Sequence, residues 1–256
     1  MSLKTGLKLA KNYSINFSLP KRSKRKIKFI IIHYTGMKKE SNALRKLCHY
    51  NSKVSSHYFI KKDGEILNLV PDLYQAWHAG KSSWKNIKSL NRYSIGIEIH
   101  NPGHQHGYKS FSLKQINSIK KLLKYLINKY KIQKKNVLGH SDIAPERKKD
   151  PGEKFPWRKL AKNNLCLWHK LDGKNLKKLR GINLSSQKEE SKFLNNLSKI
   201  GYNKNNKKNL YEKYLVKTKI CSFRKKFANY MNQRARTSFN NSSVIRRGAN
   251  MGMPPL

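Results

Sequence analysis

Four consecutive apolar residues, Phe29-Ile30-Ile31-Ile32, leave this chain few options. A short, β-branched run of this kind fits a strand buried on both faces. It ends in His33-Tyr34-Thr35-Gly36. A His at the end of a buried strand, followed by Gly, sits where sheet proteins often place functional groups.

The segments around that strand have readable periods. Ser41 to about Tyr50 reads as a helix, with Ala43, Leu44, Leu47 and Cys48 on one face and Ser41 or Asn42 as N-cap. His57–Ile60 and Glu65–Val70 flank Asp63-Gly64, a hairpin signal. Residues 71–92 lack periodicity but carry Trp77, His78 and Trp84. They fit either a functional loop or a surface loop pinned by tryptophan packing. Residues 93–100 alternate: Ile95, Ile97 and Ile99 share one face, and Ser94, Gly96, Glu98 and His100 the other. A Glu amid Ile and Gly in a central strand is costly unless it is paired or works as an acid or base. Asn101-Pro102-Gly103-His104 then breaks the strand. Ser112 and Gln115 form a capping-box pattern ahead of Leu113, Ile116, Ile119, Leu122, Leu123, Leu126 and Tyr130, which recur at helical spacing. Val137-Leu138-Gly139 leads into the polar loop His140 to Gly152.

Composition adds a boundary. The 256 residues hold 57 Lys+Arg against 13 Asp+Glu, a formal net charge of +44. Such a field attracts polyanions, including nucleic acid. However, Lys, Asn and Ile are abundant throughout and form no single basic patch, and no nucleic-acid motif is present. Specific nucleic-acid binding is therefore the lesser alternative. Cys48, Cys166 and Cys221 lie far apart, which gives no disulfide framework and no CxxC metal site. No secretory signal and no membrane-spanning run is found, so the sequence points to the cytoplasm, with the cell envelope as alternative. Four stretches are expected: a solvated basic arm over 1–26, a catalytic domain over 27–162, a small all-α region over 163–231, and a basic tail over 232–256.

Three segments offer polar groups at strand ends or in the following loop: His33, Glu98, and the loop from His140 to Asp150. Two His and one Asp are three protein ligands. Catalytic zinc sites have three protein ligands plus a water. Zinc brings bound water to a pKa of about 7, Glu98 could carry a proton, and Lys148 could hold an oxyanion. Each residue also has a plain alternative: His33 as a satisfied strand-end polar group, Lys148 as one of many basic residues.

Six motifs occur together in order: Ile31-Ile32-His33-Tyr34-Thr35-Gly36; Val54-Ser55-Ser56-His57-Tyr58; Ala76-Trp77-His78-Ala79-Gly80; Ser94-Ile95-Gly96-Ile97-Glu98; Gly139-His140-Ser141-Asp142-Ile143-Ala144-Pro145; and Lys148 with Asp150-Pro151-Gly152 and Phe155-Pro156-Trp157. From about residue 15 to 160 the chain resembles the zinc-dependent N-acetylmuramoyl-L-alanine amidases of the AmpD/AmiD type, which share their fold with peptidoglycan recognition proteins. The resemblance implies an α/β fold with a mixed central sheet flanked by helices. It implies one Zn2+ held by His33, His140 and Asp150, Glu98 as general base, and Lys148 as stabiliser of the transition state. Trp77, His78, Ala79, Asn101 and His104 would line the substrate groove. The implied reaction is hydrolysis of the amide between N-acetylmuramic acid and L-Ala, on peptidoglycan or muropeptides. The sequence leaves the oligomeric state open, with a monomer favoured. The alternative is a wall-recognition protein that does not cleave. Residues 193–202 and 223–227 are similar to a helical peptidoglycan-binding domain whose closing segment is not recognisable here.

Overall fold

The computed structural model describes residues 9–11 and 13–168, with 186, 188, 191, 195 and 198–202 beyond them. The chain divides into two units, Met1–Leu167 and Trp168–Leu256. The expected basic tail over 232–256 lies outside the described residues, as does most of the expected α-helical region over 163–231.

The first unit runs β1 (Leu9–Lys11), β2 (Phe17–Ser18), β3 (Phe29–Tyr34), α1 (Glu40–Cys48), β4 (Tyr58–Ile60), β5 (Ile66–Asn68), β6 (Gln75–Ala76), β7 (Ser83–Trp84) and β8 (Ile87–Lys88). It continues with β9 (Ser94–Ile99), α2 (Leu113–Tyr130), β10 (Val137–Gly139), α3 (His140–Ile143) and α4 (Trp157–Lys162). Six strands form one mixed sheet in the order β1-β5-β4-β9-β3-β10. All neighbours are parallel except β4 and β5, the hairpin built on Asp63-Gly64. Ile30, Ile31 and Ile32 are fully buried, as a strand covered on both faces requires.

The pleat decides what each face carries. Phe59 and Leu67 pack with Ala43 and Leu47 of α1, so α1 covers that face. Tyr58 alternates with Phe59 and points to the other face, where its hydroxyl and that of Tyr130 on α2 both reach Asp72. Helix α2 begins at the expected capping box, with Ser112 Oγ accepting from Gln115 N–H and Gln115 Oε1 accepting from Ser112 N–H. Its Leu122, Leu123 and Leu126 are fully buried. Each stabilises the packed helix by about 1.5–3 kcal/mol relative to exposure. The parallel β3–β9 register sets His33 opposite Glu98, and the β4–β9 register sets Phe59 opposite Glu98. His33 and Glu98 therefore share the face covered by α1.

Three expectations change. Over the described residues 9–11 and 13–26, the stretch before β3 is not a solvated arm. Strand β1 pairs with β5, β2 pairs with β6, and Ser14, Asn16 and Arg22 are buried. Their polar groups find fixed backbone partners: Ser14 Oγ donates to Leu47 O, Asn16 Nδ2 to His49 O and Val54 O, and Arg22 to Asp72 O and Asn91 O. A composition rich in Lys does not reveal such pairing. Helix α1 starts at Glu40 behind Lys39, without the expected Ser41 or Asn42 cap. Glu40 instead places a carboxylate at the positive end of the helix and accepts from Lys62 N–H. Residues 71–92 contain three two-residue strands, too short to show a period.

Candidate active site

His33 is the penultimate residue of β3, and His140 follows β10, its parallel neighbour. Strand adjacency thus closes a sequence gap of 107 residues. Asp150 is brought to the same point by a local lock. Ser141 N–H donates to Asp150 O at 2.9 Å, and Gly139 N–H donates to Asp142 Oδ2 at 2.8 Å. A Cβ at Gly139 would stand 2.7 Å from Pro151 Cδ, so only Gly lets the two ends of this loop meet so closely.

Three donor atoms converge. His33 Nδ1, His140 Nδ1 and Asp150 Oδ2 are separated by 2.9, 3.0 and 3.1 Å. All three residues are buried. Tetrahedral ligands about 2.0–2.1 Å from zinc stand about 3.3 Å apart, so these spacings are close to what such an ion needs. The protons tell the same story. His140 Nε2 is 3.1 Å from Ala79 O, and a carbonyl only accepts, so the ring proton of neutral His140 sits on Nε2. Its Nδ1 lone pair then faces Asp150 Oδ2, an acceptor. Lone pairs converging without protons between them suit a cation.

The electrostatics agree. Burial, and next the neighbouring His140, push His33 down to about 4, so it is neutral at pH 7. Burial alone would raise Asp150, but an inward proton on His140 or His33 outweighs it and holds the carboxylate well below its usual range; a bound cation would take the place of that proton. A neutral imidazole and an ionised carboxylate are the ligand forms of these groups.

Glu98 stands on the wall of the same cavity, which has a volume of about 180 Å³. Its Oε2 is buried with no hydrogen-bond partner among the described residues. Burial, then the charge of Asp150, push its carboxyl up to about 8, against the opposing pull of Lys148 and Lys46. Lys148 lines the cavity as well.

The other expected groove residues divide. Trp77 and His78 line the cavity. Ala79 is buried and offers its carbonyl to His140 and to Arg147. Asn101 pins its own loop, donating to Lys109 O and accepting from Gly103 N–H. His104 bridges Tyr34 Oη at 2.8 Å and Glu153 Oε2 at 2.9 Å. Tyr34 and Lys46 line the cavity but were not foreseen. Nor was Asn91, whose Oδ1 accepts from the N–H groups of both His78 and Ala79. Arg147 ties Ala79 O and Lys81 O to the loop that carries His140 and Asp150. A lone Asn or Arg in a loop carries no periodicity by which to find it.

A sequence model described as N-acetylmuramoyl-L-alanine amidase matches residues 23–153, about half of the chain. N-acetylmuramoyl-L-alanine amidase AmiD of Escherichia coli is 40% identical over 155 residues, covering 56% of this chain and 55% of that protein. 1,6-Anhydro-N-acetylmuramyl-L-alanine amidase AmpD of Citrobacter freundii is 38% identical over 108 residues, covering 42% of this chain and 56% of that protein. The chain thus spans little more than half the length of these relatives. Among solved structures, the E. coli AmiD complex with anhydro-N-acetylmuramic acid-L-Ala-D-γ-Glu-L-Lys superposes with a TM-score of 0.59 at 34% identity, covering 70% of this chain and 72% of that one. AmpDh3 from Pseudomonas aeruginosa gives 0.60 at 30% identity, with 70% and 75% covered.

Proposed function

Since this chain belongs to the N-acetylmuramoyl-L-alanine amidase family, we propose that it hydrolyses the amide joining the lactyl group of N-acetylmuramic acid to L-Ala of a stem peptide. The observation that carries the reading is the convergence of three lone-pair donors beside a carboxyl whose buried Oε2 has no hydrogen-bond partner among the described residues. The substrate named with AmiD, an anhydro-muramyl peptide, supports that class of ligand.

His33, His140 and Asp150 would hold one zinc ion. When bound, zinc supplies a Lewis acid that brings a water's pKa to about 7. Glu98 takes the proton of the attacking water. At about 8 its carboxyl is mostly protonated at neutral pH, but a cation close by favours the ionised form. Base and metal are therefore coupled: Glu98 becomes a base when the neighbouring site is loaded. The C–N bond then breaks, and Glu98 returns the proton to the departing L-Ala nitrogen. Lys148, on the same cavity wall, stabilises the oxyanion that forms on the carbonyl. Trp77 offers a flat apolar side to the sugar or peptide, its indole N–H fixed on Ser18 Oγ.

The test is a digest of soluble anhydro-muropeptides and of intact sacculi by metal-replete protein, read by mass spectrometry with and without chelator. Free stem peptide should appear, and chelation should stop it. Absence of released peptide from both substrates would sink the reading.

A further inference from the structure

We propose that His78 and Ser94 set the ring tautomer of His33, so that its Nδ1 lone pair is presented to the metal; this rests on the metal-site reading above. The two ligand histidines are oriented by different means. His140 donates Nε2–H to a backbone carbonyl, Ala79 O, whose role cannot change. His33 Nε2 instead meets Nδ1 of another imidazole, His78, at 3.0 Å. An imidazole nitrogen accepts only if the proton sits on the other nitrogen. Something must hold the proton of His78 on Nε2.

Ser94 does so. Its Oγ lies 2.6 Å from Leu90 O, and that carbonyl can only accept, so the single hydroxyl proton is spent there. The oxygen is left as an acceptor, 3.2 Å from His78 Nε2. Each link fixes the next. Leu90 O takes the Ser94 proton, and Ser94 Oγ takes the His78 Nε2 proton. His78 Nδ1 takes the His33 Nε2 proton, and the His33 Nδ1 lone pair is left facing His140 and Asp150. His78 and Ser94 are buried, so water does not compete.

A second observation is independent of these bonds. A Cβ at Gly96 would stand 2.4 Å from His78 Cγ and 2.7 Å from its Nδ1. Gly96 is in ordinary strand backbone, so its bare Cα serves this ring and no turn. His78 N–H is also held by Asn91 Oδ1 at 3.1 Å. Ser94 and Gly96 both lie on the face of β9 that carries Glu98, so one strand face supplies the acid, the space for the relay ring, and the relay's anchor.

Outer partners of this kind typically change metal affinity by about 10–100-fold. The test measures zinc affinity of the full chain by competition with a chelator of known affinity, beside long-range 1H–15N spectra of the metal-free chain. His78→Leu should weaken zinc binding about 10–100-fold. His78→Gln, whose amide oxygen can accept from His33, should recover most of it. Ser94→Ala should weaken zinc in the same direction by less, and convert His33 from one Nε2–H tautomer to a mixture. If Ser94→Ala keeps both wild-type affinity and a single His33 tautomer, the relay is overturned. Equal losses in His78→Gln and His78→Leu would overturn it too, since a packing role predicts no rescue. Should His78→Leu fail to fold, the Ser94→Ala pair of readouts decides. A wild-type chain that takes up no zinc would remove the metal reading, while the tautomer signature still decides the relay.

Discussion

Asp72 and Asp150 are both buried, both in the first unit, and both held below the usual carboxylate range. Their surroundings are opposite in chemistry. Asp72 accepts from Tyr58 Oη at 2.7 Å, Tyr130 Oη at 2.6 Å and Lys129 Nζ at 2.8 Å. Every one of these is a donor, so the cluster closes on itself and joins β4 to α2. Around Asp150 stand two imidazoles whose inward nitrogens carry lone pairs, with the partnerless Oε2 of Glu98 in the same cavity. Satisfied donors around a carboxylate mark structure. Acceptors gathered around one mark a place for something that is not protein.

The largest effect should come from emptying the second cluster. Chelation, or Asp150→Ala, is expected to bring stem-peptide release down to the uncatalysed background in a fixed-time digest. Zinc per chain, measured by atomic absorption, should fall with it. Next is Glu98→Gln, which should lower kcat by about 10²–10⁴-fold. Zinc content should be unchanged and the melting temperature no lower, because the substitution removes a charge that lacks a partner. A Gln variant that melts earlier would mean that Glu98 has a structural partner after all.

Asp72→Ala should do the reverse. It leaves the buried Tyr58 hydroxyl without its acceptor, a loss of about 1–3 kcal/mol readable in urea unfolding. Zinc affinity and kcat of the folded fraction should hold. A loss of activity without loss of stability would erase the contrast between the two sites.

The smallest expected effect is a pH dependence of stability. His57 Nδ1 accepts from Gly96 N–H at 3.0 Å, and its Nε2–H faces Tyr74 O. A second proton would set N–H against N–H beside Arg22. Burial, then Arg22, hold His57 at about 3. The unfolded chain binds that proton near pH 6.5 while the folded one does not. Stability from this group is therefore complete above about 6.5 and is lost as pH falls toward 3. Asp72, with its depressed folded pKa, adds a loss that begins only near the unfolded value of about 3.9. The melting temperature should decline gently from pH 7 to 4.5 and more steeply below 4, and Asp72→Asn should flatten the lower part only.

Much of this was legible because it depends on local pattern. The run Phe29–Ile32 declared a strand buried on both faces, and α2 declared itself by its cap and its apolar stripe. The alternation from Ser94 to Ile99 put Glu98 on a polar face among isoleucines, and that conflict singled it out. The same alternation put Ser94 and Gly96 on that face. Their value is invisible without His78, which arrives from a loop with no period. The buried polar stretch before β3 was illegible for a related reason: Ser14, Asn16 and Arg22 are satisfied by partners roughly thirty to seventy residues away.

The sequence by itself determined the residue types: two imidazoles, an aspartate, a glutamate and a lysine, each at the end of or just beyond an apolar strand. Tertiary structure alone decided which atoms of them meet. The parallel pairing of β3 with β10 brings His33 to His140, and the Ser141–Asp150 bond folds the Asp150 carboxylate onto both. Which ring nitrogen carries a proton is settled further out, by carbonyls at Ala79 and Leu90. A carbonyl's position is a property of the folded backbone, and its lack of a proton to give orients every imidazole between it and the site.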